Sequence, residues 1–254
     1  MKIEFNVKEL NSMKKYPNEI HYIGNLKLLD KRKISIVGTR RPSSYTKFQT
    51  AKISSKLSKR GICIVSGAAM GVDSIAHQNA RANNTIAVMA NGLNIKYPSV
   101  NKNIIANIEK DGLTISQYED GFRATPWSFV QRNEIVVALG EVLIVTEADL
   151  KSGSMRSVEF ALKMNKKIYV LAHRIDESQG TNYLLKDGLA TAIYDIDEFV
   201  SQFGSICEDK SDEFLEYCKI NPNYEEAIKK YKDKVFLYEL DGKIKIINNI
   251  ISIN

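Results

Sequence analysis

The amino-acid sequence predicts an α/β protein: a mostly parallel sheet with helices on both faces, followed by a small C-terminal domain of another kind. Three observations predict it. Between Lys33 and Phe203, short continuous apolar runs alternate with segments of helical spacing, the pattern of parallel strands buried on both faces. The runs end in loops rich in Gly, Ser and Asn, as strand-to-helix junctions do. Past Gly204 the alternation stops, and a polar, acidic stretch precedes helix-like segments and a hairpin pattern.

Residues 1–30 show no clear period, but Leu10, Tyr16, Ile20, Tyr22, Ile23 and Leu28 are apolar enough to pack, which predicts a lead-in of short helices and turns. Lys33 to Gly38 is the first strand and runs into Gly38-Thr39-Arg40-Arg41-Pro42. Phe48, Ala51, Ile53 and Leu57 recur at helical spacing, so Ser44 to Lys59 is an amphipathic helix, with Gly61 punctuating the return. Ile62 to Val65 is the next strand. It breaks at Ser66-Gly67, and a small-residue loop leads through Gly71 and Asp73 into a helix reaching Ala82. Further strands are Thr85 to Ala90, Leu113 to Tyr118, Glu141 to Glu147 and Lys167 to Leu171, with a short one near Ala192-Ile193. The helices between and after them run over about Asn101 to Lys110, Phe129 to Leu139, Met155 to Met164, from Gly180 to Asp187, and through Phe203. Glu213 to Lys219, Asn223 to Tyr231 and Lys234 to Leu240 are helix-like, and KIKII and IISIN flank Asn248-Asn249 as hairpin strands do. The domains read as 1–204, a linker over 205–211, and a winged-helix-like module over 212–254.

The 254 residues suffice for one sizeable α/β domain plus a small second one. A hydrophobic fraction of 44% and a charged fraction of 26% are those of an ordinary globular chain. Residues 1–204 carry 28 Lys and Arg against 20 Asp and Glu, whereas residues 205–254 carry 8 against 10. A polyanion would therefore meet the larger part. No run reaches the length of a membrane span, and the N-terminus lacks a signal-peptide core. Cys63, Cys207 and Cys218 form no C-x-x-C pair, so free thiols in a reducing cytoplasm are expected. His21, His77 and His173 have no metal-ligand spacing.

Ligands of such sheets bind in the crevice beyond the strand C-termini, so the loops there are the candidates. The Ser66 to Asp73 loop is neither G-x-G-x-x-G nor a P-loop. Its N–H groups at a helix start suit an anion, and a plain structural turn is the other reading. Arg40 and Arg41 at a strand terminus suit bidentate phosphate contact, and a surface pair held by nearby carboxylates is the other reading. Phe129 and Trp127 each read either as a base-stacking ring or as a core anchor for the following helix, and the anchor is favoured for Trp127. Asp73 reads as a structural first-turn acid and His77 as a packed side chain. Ser152-Gly153-Ser154 either binds phosphate or caps the helix at Met155. Glu225, Glu226, Lys229 and Lys230 read as a solvated helical face.

Several of these pieces, in order, resemble the DNA-processing protein A (DprA/Smf) family of natural transformation. They are Ile36-Val37-Gly38-Thr39-Arg40, Ser66-Gly67-Ala68-Ala69-Met70-Gly71-Val72-Asp73 with Ala76-His77, and Tyr97-Pro98 with Asn101. Phe129 with Arg132-Asn133, Glu147-Ala148, Ser152-Gly153-Ser154, and Gly180-Thr181-Asn182 with Gly188 complete the set. The resemblance implies an extended Rossmann-type core that binds single-stranded DNA, forms a homodimer, and helps load the RecA recombinase. It implies no enzyme and no cofactor. Carried onto this chain, the DNA site would comprise Arg40, Arg41, the Ser66, Gly67, Ala68 and Gly71 loop as backbone donors, Phe129, Arg132 and Asn133. Glu134 stands where a second arginine often follows the Arg-Asn pair, and Pro126 where relatives can be basic; Arg123 or Lys151 would restore that charge. The rival reading is a phosphoribohydrolase-like nucleotide enzyme on the same kind of core. The stretch Glu147 to Ser154 lacks the Pro-Gly-Gly-x-Gly-Thr-x-x-Glu pattern of that class.

Overall fold

The computed structural model describes residues 1–206, 213–240 and 242–253. The chain divides into two compact units, Met1–Ile206 and Cys207–Asn254. Most of the linker expected over 205–211 lies outside the described residues.

In the larger unit, β1 (His21–Gly24) precedes β2 (Lys33–Val37), α1 (Ser44–Ser58), β3 (Cys63–Ser66) and α2 (Val72–Asn79). β4 (Thr85–Met89), α3 (Lys102–Asp111), β5 (Leu113–Ser116) and α4 (Pro126–Leu139) follow. β6 (Leu143–Val145), α5 (Gly153–Lys163), β7 (Ile168–Leu171), α6 (Gln179–Lys186), β8 (Thr191–Ile193) and α7 (Ile196–Ser201) complete it. These form an eight-stranded sheet in the order β1-β5-β4-β3-β2-β6-β7-β8. Every pairing is parallel except β1 with β5. From β2 the chain builds outward through β3, β4 and β5, then returns to lay β6 on the other side of β2, with Ser35 opposite Leu143. The gap between the C-terminal ends of β2 and β6 is therefore the topological switch point.

Alternate strand residues enter two of the three cores of this unit. Ile34, Ile36, Ile64 and Ile144 face α1, α2 and α7, while Val37, Val65, Val88 and Val145 face α4 and α5. Cys63 is fully buried in the second of these, and burial pushes its thiol up to about 12.

Three sequence expectations change. The lead-in holds a strand, β1, antiparallel at the sheet edge; all its residues are half-buried, so it shows no continuous apolar run. In α1 the buried face is Thr46, Thr50, Ile53, Ser54 and Leu57, and Phe48 is 67% exposed. Small polar residues allow α1 to approach α2 closely, and Ser54 Oγ donates to Ala76 O at 2.6 Å. α4 starts at Pro126, not near Phe129, because Thr125 caps it. Thr125 Oγ1 accepts the Ser128 N–H and Ser128 Oγ accepts the Thr125 N–H, and a proline at the first helical position is preorganised for the helix.

The smaller unit has α8 (Glu213–Cys218), α9 (Tyr224–Tyr231), α10 (Asp233–Leu240), β9 (Ile244–Ile247) and β10 (Ile250–Ile253). β9 and β10 pair antiparallel around Asn248 and Asn249, both with left-handed φ, as a type I′ hairpin turn requires. Its core is Phe214, Cys218, Ala227, Val235, Ile244 and Ile251. Glu225, Glu226, Lys229 and Lys230 are exposed.

Candidate nucleic-acid interface

A crevice of about 640 Å³ opens at the switch point. Its walls are the loop after β2 (Val37 to Arg40), the first turns of α4, and the start of α5. A smaller pocket beside it is lined by Arg40, Gly67, Tyr97, Phe129 and Arg132.

Arg40 is exposed, and no carboxylate among the described residues pairs with it. Its guanidinium lies over the half-buried Phe129 ring, 5.5 Å from the centroid. Tyr97 stands 6.0 Å from the same ring. Arg40 is placed from below by Gly71, whose φ of +77° and close approach to the Arg40 backbone leave no space for a side chain. This cation beside an aromatic face, at an open strand terminus, can meet a phosphate and the base next to it.

The loop after β3 is spent differently from the expectation. The Gly67 and Ala69 N–H groups donate to Asp73 Oδ2 at 3.2 and 3.4 Å, and the Val72 N–H donates to Thr39 O. A carboxylate of the chain itself thus fills the anion position at this turn. Ser66 is fully buried with its hydroxyl on Ile36 O, and Ala68 is 1% exposed. Asn101 Nδ2 donates to the carbonyls of Ala68 and Ala69, at 2.9 Å each. Ala68 itself has a left-handed φ of 56°.

Arg132 lies under the crevice and is only 4% exposed. Its Nη1 donates to Gly67 O and Val88 O and its Nε to Asn133 Oδ1. Asn133 is occupied at its other end as well, donating to Gly153 O at 3.3 Å. Arg132 and Asn133 both line the crevice, and these hydrogen bonds brace them there. Burial pushes the Asp73 carboxyl up, opposed by the Arg132 charge and the N–H donors. Burial lowers the Arg132 guanidinium, opposed by Asp73. His77 is 3% exposed beneath them and pairs with Thr85 Oγ1 at 2.7 Å. Burial and the Arg132 charge hold its imidazole down to about 3.

Arg41 and Lys151 are exposed and lie outside the crevice lining. Trp127, expected as a core anchor, is 52% exposed and packs edge-on against Tyr118 and Phe122. Glu134 accepts the Lys14 N–H, tying the lead-in to α4. Sequence reasoning gave no individual role to Thr39, Val130 or Ser157, which line the crevice. Only strand order brings the last of these beside Arg40, and a lone serine in a helix carries no signal.

The sequence pattern of the family described as DNA recombination-mediator protein A matches residues 4–204. The chain belongs to this family. Family relatives include protein Smf of Synechocystis, 33% identical over 75% of this chain and 50% of that protein. DNA processing protein DprA of Streptococcus pneumoniae is 33% identical over 71% of this chain and 65% of that protein. The chain thus spans about half to two thirds of the length of these relatives. Among solved family structures, DNA processing protein A from Helicobacter pylori superposes with a TM-score of 0.79 at 41% identity, covering 80% of this chain and 94% of that one. That structure is described as showing a single-stranded-DNA binding mode of the H. pylori protein. The S. pneumoniae structure gives a TM-score of 0.73 at 30% identity, over 81% of this chain and 74% of that one. No helix among the described residues is long and apolar enough to cross a membrane.

Proposed function

We propose that this chain binds single-stranded DNA along the switch-point crevice, without catalysis, and passes the strand to the RecA recombinase during natural transformation. The observation that carries the binding is Arg40, exposed and with no carboxylate partner among the described residues, lying over Phe129 at the open crevice. A guanidinium binds a phosphate through paired N–H groups, and an aromatic ring stacks on any base. Such contacts hold a strand without reading its sequence. The family membership supports the reading, as does the binding described for the H. pylori protein. The basic surplus of residues 1–204 has the sign a polyanion requires.

The test is fluorescence anisotropy of labelled oligo-dT and of the matching duplex at two salt concentrations, with wild type and Arg40→Ala. Single-strand preference that weakens in salt and collapses in the variant supports the reading; binding that is absent or indifferent to Arg40 removes it. Light scattering tests the homodimer, and RecA filament growth on a protein-coated strand, with and without this chain, tests the hand-over. The cellular setting, a reducing cytoplasm, belongs to the same proposal.

A further inference from the structure

The crevice lined by Arg40 is also lined by the start of α5. Ser152 is the residue before its first turn, and its side chain makes no capping hydrogen bond. The hydroxyls of Ser152 and Ser157 have no hydrogen-bond partner among the described residues. Ser157 is 1% exposed, and both serines line the crevice with Gly153 and Ser154. A helical serine ordinarily donates to the carbonyl four residues back; that carbonyl, Gly153 O, here receives Asn133 Nδ2. A buried hydroxyl without a partner costs about 1–3 kcal/mol. A group entering the crevice would supply what the chain does not.

The charge of that group follows from its surroundings. The first N–H groups of an α-helix lack acceptors within the helix, and the dipole adds positive potential there. A Cβ on Gly153 would meet nothing within 4 Å, so the approach is open. The charged residues lining the crevice are Arg40, Arg132 and Asp73. Asp73 is turned onto the Gly67 and Ala69 N–H groups, and Glu147 on the neighbouring loop accepts from Ser43.

We propose that the N-terminus of α5, with the Ser152 and Ser157 hydroxyls, is a second phosphate subsite that works beside Arg40. It rests on the single-strand reading given above. The two subsites differ in kind. Arg40 displaces condensed counterions from the strand, whereas neutral N–H and O–H donors hold phosphate without displacing any. The phosphate belongs either to a strand's 5′ end or to an internal linkage, and the experiment separates the two.

The full chain is titrated with labelled oligo-dT, carrying either a 5′-phosphate or a 5′-hydroxyl, through a KCl series. The variants are Ser152→Ala/Ser157→Ala, Gly153→Asp and Arg40→Ala. Gly153→Asp guards against misfolding, because an acid in the first turn stabilises a helix while repelling phosphate. Both α5 variants should lose about tenfold or more in affinity with the salt slope unchanged, whereas Arg40→Ala lowers affinity and slope together. A wild-type preference for the 5′-phosphate that disappears in the α5 variants places a strand end in the subsite. Equal weakening toward both oligonucleotides places an internal phosphate there. Wild-type affinity in both α5 variants overturns the subsite and leaves the single-strand reading intact. If wild type binds neither oligonucleotide, the single-strand reading fails. Inorganic phosphate then decides the subsite: a thermal shift in wild type that Gly153→Asp abolishes upholds it, and no shift overturns it.

Discussion

The Arg40 guanidinium carbon stands 5.5 Å from the centre of the Phe129 ring, and the Arg132 guanidinium carbon stands 5.7 Å from the same centre. Arg40 is exposed and Arg132 is buried. One ring therefore couples a cation available to a ligand with a cation committed to the fold.

On the proposed reading, Phe129→Leu should weaken oligo-dT binding by about 1–3 kcal/mol, the worth of one stacked base, with no change in salt slope. Arg40→Ala should reduce the slope by about 0.7 for each phosphate released. Arg40→Lys should keep the slope but not the full affinity, since an ammonium lacks the planar fork. Anisotropy titrations in a salt series measure all three.

Gly67→Ala should destabilise the larger unit by about 1–3 kcal/mol, the cost of an overpacked site. A Cβ at Gly67 would run into the Arg132 guanidinium, which is held by two carbonyls and an amide. Urea denaturation checks this.

Asp73→Asn removes the carboxylate charge that opposes the burial penalty on the Arg132 guanidinium, and should destabilise the larger unit by about 1–3 kcal/mol. Asp73→Asn/Arg132→Met should recover part of that loss. A double-mutant cycle from denaturation midpoints reads the coupling directly, and additive single losses would refute it.

Stability should fall as pH falls below about 6.5, by at most about 1.4 kcal/mol per pH unit from His77. The sign follows from its folded value of about 3: between that pH and about 6.5 the unfolded chain binds a proton that the native chain refuses. The difference between wild type and His77→Gln, followed by urea denaturation from pH 7.5 to 4.5, isolates this group from the buried Asp73. A difference independent of pH would exclude it.

The parallel strands were legible as short runs dominated by aliphatic residues between loop residues, as in KISIV of β2 and TIAVM of β4, both buried throughout. The hairpin was legible because Asn248-Asn249 is one of the few pairs that tolerate two left-handed residues. Arg40 stood out at a strand terminus, and the family resemblance singled out Phe129. What local order does not contain is adjacency. That β6 lies against β2, and so sets Ser157 in one crevice with Arg40, is a property of the whole sheet. Nor does a strand–loop–helix pattern say whether the anion at the turn is a ligand or, as Asp73 is here, part of the chain. The face of α1 misled because Thr46, Thr50 and Ser54 bury by being small, not by being apolar.

Asn101 grips the carbonyls of Ala68 and Ala69 from across the sheet end, and Gly71 wedges the other end of that loop against the Arg40 backbone. The entropy of ordering the loop is therefore spent once, when the protein folds. On the proposed reading, a strand reaching the crevice meets a finished surface. Its capture is then an encounter governed by charge and diffusion, with a single kinetic phase whose rate tracks ionic strength.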